Sequence, residues 1–233
     1  MIIFLISIAV YTSLLFFIKP APSSLKSEPI SYCENLKFVW ASLCSGIFVL
    51  LVFLLTTNFG FMTVDEGLYS MLALSNESEQ FAKWPLQSIT NLFVHSNLIH
   101  LVSNVVGLGV ASVYERRVGA KRFFTVLLIG GLASIPSIFF YVENITVCGI
   151  SGGVFGLAAA YFTDENELST KEWLTAILLF LFLTLVVSLD SIFKSDSNEV
   201  LDMEVDHIGH LLGALGAIIY CRLKPRRLYK KIM

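Results

Sequence analysis

Six stretches of this chain are too apolar, and mostly too long, to be packed as ordinary surface helices in water: Met1–Ile18, Phe38–Thr57, Leu98–Tyr114, Phe123–Val142, Trp173–Leu189 and Val205–Tyr220. A bilayer core asks for about 20 apolar residues per helix. Hydrocarbon offers no partner to a backbone N–H or C=O, so segments of this kind form helices. The rest of the chain cannot solvate so much carbon: 55% of residues are hydrophobic, 15% are charged, and mean hydropathy is +0.75. These values point to a polytopic all-α membrane protein. A net charge of −2 gives no sign of a nucleic-acid partner. Cys33, Cys44, Cys148 and Cys221 show no metal-binding or redox spacing and read as reduced, buried residues.

The first run ends at Lys19-Pro20 with no charged side chain before it. A signal peptide has a positive leading region, so an uncleaved membrane helix is expected instead. Residues 20–37 read as a polar linker. From Asn58 to Asn91 hydropathy falls, and Phe61, Tyr69, Phe81 and Trp84 lie among polar residues, the composition of a structured loop at the membrane interface. Orientation follows from the Lys and Arg positions. With the C-terminus inside, 14 of the 16 are cytoplasmic and only Lys83 and Lys194 are outside. The N-terminus is then outside.

One segment breaks the pattern. Val147-Cys-Gly-Ile-Ser151-Gly-Gly-Val-Phe-Gly156 sets a serine among glycines and runs into a short apolar helix, Ser151 to Phe162. Gly149-x-Ser151-x-Gly153 fits the nucleophile elbow of α/β-hydrolases, but the soluble strand–turn–helix context of that fold is missing. Twelve residues make a helix of roughly 18 Å, against a hydrocarbon core of ~30 Å. The chain from Ile145 to Ile150 is therefore expected to descend as non-helical backbone, buried in protein or beside a wet cavity. Counting this helix, the chain has seven, an extra N-terminal one plus six.

Two further stretches carry polar residues that a membrane makes costly. His95-Ser-Asn-Leu-Ile-His100-Leu-Val-Ser-Asn104 puts His100 and Asn104 one turn apart on a single helix face. Asp206-His-Ile-Gly209-His210-Leu-Leu-Gly213 opens the last helix. Taken singly, Asn104 reads equally well as interhelical glue and His210 as a packing residue. Small residues indicate which helices meet. Gly152 and Gly156 form one small face, and Gly209, Gly213 and Ala217 form another, so that His210 is expected within reach of Ser151. Asp206 lies one turn before His210 and reads as the wet end of its helix.

Gly149-Ile150-Ser151-Gly152, His100 and Asn104, His210-x2-Gly213 and Glu115-Arg116-Arg117 together resemble the rhomboid intramembrane serine proteases. The resemblance covers roughly residues 38–221. It implies a six-helix rhomboid-like core at 38–221, preceded by an extra transmembrane helix (1–19) and the linker, and followed by a basic cytoplasmic tail (222–233). It implies Ser151 as nucleophile and His210 as general base, with His100, Asn104 and the Ser151 N–H forming the oxyanion hole. Gly149, Gly152, Phe155 and Gly213 are supporting residues. No metal or other cofactor is called for, and the implied partners are single-span or otherwise membrane-anchored protein substrates within the lipid bilayer. A bacterial inner membrane, with the C-terminus cytoplasmic, is the expected location. The sequence departs from the family pattern at Leu86-Gln87, where a Trp-Arg pair is common, and at Phe155, where Tyr is usual. The alternative is a non-catalytic rhomboid-like protein that binds transmembrane segments. Such proteins typically lose the serine or the histidine, and both are present here.

Overall fold

In the computed structural model, residues 1–17, 31–164 and 205–226 are described, with four single positions between 170 and 178. The helices are α1 (Ile2–Phe17), α2 (Tyr32–Phe38), α3 (Trp40–Thr56), α4 (Glu66–Leu72), α5 (Trp84–Thr90), α6 (Leu98–Val118), α7 (Ala120–Ser134), α8 (Ser151–Thr163) and α9 (His207–Leu223). Among the described residues, two helical stretches, Leu98–Val118 and Ala120–Phe140, are long and apolar enough to cross a membrane, and α3 and α9 are shorter apolar helices. Apart from Leu174, Ile177 and Leu178, the expected span Trp173–Leu189 lies outside the described residues, as do the acidic loop after it and residues 20–30 of the expected linker.

One expectation needs correction: of the four cysteines only Cys221 is buried, Cys148 is half-buried, and Cys33 and Cys44 are exposed. The end of the linker is helical: the Ser31 hydroxyl accepts from the Glu34 N–H, the Glu34 carboxylate accepts from the Ser31 N–H, and this reciprocal cap opens α2. The α-helix of the run Phe123–Val142 is interrupted within the span. It stops at Ser134 and tightens into a 3₁₀ turn, Ile135–Phe140, at Pro136, whose ring removes a donor from the α-helical ladder.

The short α8 is the axis of the molecule, packed against α6, α7 and α9. Glycine makes this possible. A Cβ on Gly156 would lie 3.1 Å from the Gly130 Cα, 3.2 Å from the Gly213 carbonyl and 3.3 Å from the Ala217 Cβ. α7, α8 and α9 therefore touch through their backbones, the approach that small residues permit in apolar surroundings. Gly209 also serves the helix cap: its N–H bonds the Asp206 carboxylate, and a side chain there would strike that carboxylate.

Below α8, Asp164 accepts from the Tyr114 hydroxyl (2.7 Å) and from both Nε and Nη2 of Arg122, and Arg122 also donates to the Lys224 carbonyl. This knot joins α6, α7, α8 and the end of α9. Glu115, fully buried on α6, accepts from the Ala41 N–H (2.8 Å), the Ser42 N–H and the Ser42 hydroxyl (both 2.7 Å). Its carboxylate thus caps the N-terminus of α3, where backbone donors lack intrahelical partners and the dipole favours negative charge. α1 joins the same place: the buried Tyr11 ring lies over Gly46, and its hydroxyl donates to the Ser42 carbonyl (2.7 Å).

Candidate active site

The chain reaches α8 by the non-helical descent its short length demands, and the structure accounts for the backbone groups on the way. Thr146–Val147 pairs antiparallel with Leu74–Ser75. The Ile145 N–H bonds the Asn76 side chain (2.7 Å), whose amide in turn donates to the Glu143 carbonyl (2.8 Å). The Gly149 N–H donates to the Asn91 carbonyl (2.7 Å). Gly149 has φ +105°, a conformation that side-chain-bearing residues rarely adopt, and it turns the chain so that α8 starts at Ser151 two residues later.

Ser151 Oγ lies 2.8 Å from Nε2 of His210 on the first turn of α9. The His210 ring is 7% exposed and stacks on Phe155, with centroids 4.3 Å apart and planes 11° from parallel. Stacking needs only the ring face, so the phenylalanine departure from tyrosine leaves this contact in place. Nδ1 of His210 has no hydrogen-bond partner among the described residues, and the His207 ring packs edge-on to the imidazole at 6.3 Å.

His100 and Asn104 converge on the other side of the serine turn. A Cβ placed on Gly149 would stand 2.6 Å from His100 Nε2 and 3.7 Å from Asn104 Nδ2, so both side chains border the Gly149 backbone. Asn97 caps α6 by accepting from the His100 N–H (2.9 Å), and Asn104 Nδ2 donates to the His100 carbonyl (3.0 Å). Fully buried His95 packs edge-on to His100 at 5.0 Å. Of the supporting residues expected from the sequence, Gly152 lies against Ser134 of α7, and Gly213 lies against the Gly152 backbone.

The cleft beside Ser151 is small, about 20 Å3, room for roughly one water. Asn91, Ser134, Cys148, Gly149, Asp206 and His210 are among its walls. A larger apolar cavity of about 400 Å3 lies between α3 and α7, with Ile150 at one end. Sequence reasoning missed two parts of the site. Gly130 of α7 is the third backbone in the α8–α9 contact, and a paired Gly-Gly without four-residue spacing does not announce a contact face. Asp206 is bound by Ser137 and Tyr141, more than 60 positions away, and no local pattern signals that.

A helical membrane architecture with a serine and a histidine paired at the start of two touching helices defines the class. The Rhomboid domain family model matches residues 83–227, and the chain belongs to the rhomboid family. Members of this family are membrane-embedded, act on membrane protein substrates and are mostly intramembrane serine proteases. The match takes in α5 to α9, so α1 to α4 lie outside it. A comparison with curated proteins gave no match.

Proposed function

We propose that this chain is an intramembrane serine endopeptidase that cleaves membrane-anchored protein substrates with a Ser151–His210 dyad. The observation that carries the reading is the 2.8 Å approach of Ser151 Oγ to His210 Nε2, with the imidazole stacked on Phe155. A serine hydroxyl is a weak nucleophile until a base removes its proton. His210 takes that proton as Ser151 attacks the scissile carbonyl carbon, and it returns the proton to the departing amine. A water deprotonated by His210 then hydrolyses the acyl-enzyme, and Ser151 recovers its proton. Negative charge on the carbonyl oxygen during both steps is met by the Ser151 N–H with His100 and Asn104, whose positions beside Gly149 support that role.

The remaining assignments follow from this reading. The core comprises six helices from residue 38 to 221, α1 is an additional span, and the C-terminus is cytoplasmic. The dyad then opens toward the outside, where water is available.

The test uses detergent-purified full-length chain, a panel of labelled single-span substrates and a fluorophosphonate probe. Wild type should cleave and be labelled. Ser151→Ala and His210→Ala should do neither while remaining folded. Labelling that persists in Ser151→Ala refutes the nucleophile. A wild type that binds transmembrane segments but shows neither cleavage nor labelling is the non-catalytic alternative.

A further inference from the structure

Among the described residues, His210 is held at only one ring nitrogen. Its ring plane is set by Phe155, so the distance from Nε2 to Ser151 depends on where the first turn of α9 begins. That turn is fastened by Asp206. The Asp206 side chain accepts from the Gly209 N–H (2.7 Å), and the Asp206 carbonyl accepts from the His210 N–H itself (3.0 Å). The same carboxylate accepts from the Ser137 hydroxyl (2.5 Å) and the Tyr141 hydroxyl (2.8 Å), both from the segment that follows α7. Ser137 is buried, and Phe139 of the same 3₁₀ turn packs its ring on Trp84 at the start of α5. Helix capping alone requires one acceptor for the free N–H groups of a first turn. Here two additional hydroxyls from another element converge on that acceptor, so α9 is anchored to the body of the protein one turn before its histidine.

We propose that Asp206 is a positioning residue of the reaction: with Ser137 and Tyr141 it clamps the start of α9 and thereby holds His210 at bonding distance from Ser151. The proposal rests on the dyad reading above and assigns to a helix anchor the orienting task that a third hydrogen-bonded side chain performs in a serine triad. Rates respond steeply to such placement, since a displacement of about 1 Å can cost on the order of 10²-fold.

The test compares Asp206→Ala, Asp206→Asn and the double variant Ser137→Ala/Tyr141→Phe in full-length protein. The double variant keeps the cap to Gly209 and removes the two hydroxyls that reach Asp206. Four quantities are read: kcat and KM on a labelled substrate, the maximal rate of fluorophosphonate labelling, and hydrogen exchange of the amides from 207 to 213. A clamp predicts that Asp206→Ala and the double variant lose about tenfold or more in kcat and in labelling rate. KM should stay within about twofold, and exchange across 207–213 should rise. Asp206→Asn, which keeps an acceptor for Gly209 and for one hydroxyl, should recover part of the loss. A double variant with wild-type kcat and wild-type labelling overturns the clamp, whatever its melting temperature. Failure of the dyad reading looks different, because wild type is then not labelled at all. In that case unchanged exchange across 207–213 in the double variant still refutes the anchor.

Discussion

Gly149→Ala separates geometry at the oxyanion site from general stability. The added methyl would sit 2.6 Å from His100 Nε2 and 2.7 Å from its Cε1, so the imidazole must retreat by about 0.8 Å to regain an ordinary 3.4 Å contact. A shift of that size in a positioned donor is expected to cost on the order of 10²-fold in kcat, comparable to the loss of one oxyanion donor. The substitution also forces alanine into φ +105°, a strain of roughly 1–3 kcal/mol. Gly119→Ala supplies the control. Gly119 has φ +83°, yet nothing lies within 4 Å of its would-be Cβ, so it brings backbone strain with no contact to His100. The assay is kcat on a labelled single-span substrate beside the melting temperature of each variant. Both should melt earlier than wild type, and only Gly149→Ala should lose kcat at temperatures where both are folded. A folded Gly149→Ala with kcat within about threefold of wild type would refute the reasoning, because His100 would then have no required place beside the reacting carbonyl.

Two other predictions follow from the site and the charge pattern. Asn104→Ala should lower kcat by about 10²- to 10³-fold with little change in KM if its amide meets the oxyanion; a stable variant with near-wild-type kcat removes Asn104 from the site. A cytoplasm-dependent reporter fused after Met233 should be active, and a cysteine placed at Ser197 should react with impermeant reagents from outside. The opposite accessibility at both positions would invert the orientation drawn from the 14-to-2 distribution of basic residues.

The meeting of α8 with α9 was legible because small residues at four-residue spacing mark a helix face through their periodicity alone. Gly156 does lie against Gly213 and Ala217. At Gly209 the spacing does not announce a second demand, the capping aspartate that a side chain there would strike. The shortness of α8 was legible as well, since hydrocarbon thickness sets the expected helix length. The means of its support was not. The strand pair Leu74–Ser75 with Thr146–Val147 is two residues long on each side, and Asn76 bridges it with a side chain, so neither leaves a period-two signal. Tyr11 shows the same limit. In an apolar run, an aromatic ring facing lipid and one buried against Gly46 read alike, and only its bond to the Ser42 carbonyl distinguishes them.

That bond bears on the order in which the protein assembles. Ser42 holds two elements at once, with its carbonyl taken by Tyr11 of α1 and its N–H and hydroxyl by Glu115 of α6. Both partners of the α1 half, Tyr11 and Ser42, precede Glu115 in the chain. The α6 half waits for Glu115, 73 positions later, an interval of roughly 4–15 s at ~5–20 residues per second of synthesis. The contact of Tyr11 with Ser42 and Gly46 needs nothing beyond Gly46, whereas the donors at the head of α3 need Glu115. Ser42 is thus a joint between a contact close in sequence, to α1, and one distant in sequence, to α6, and the same turn of α3 serves both.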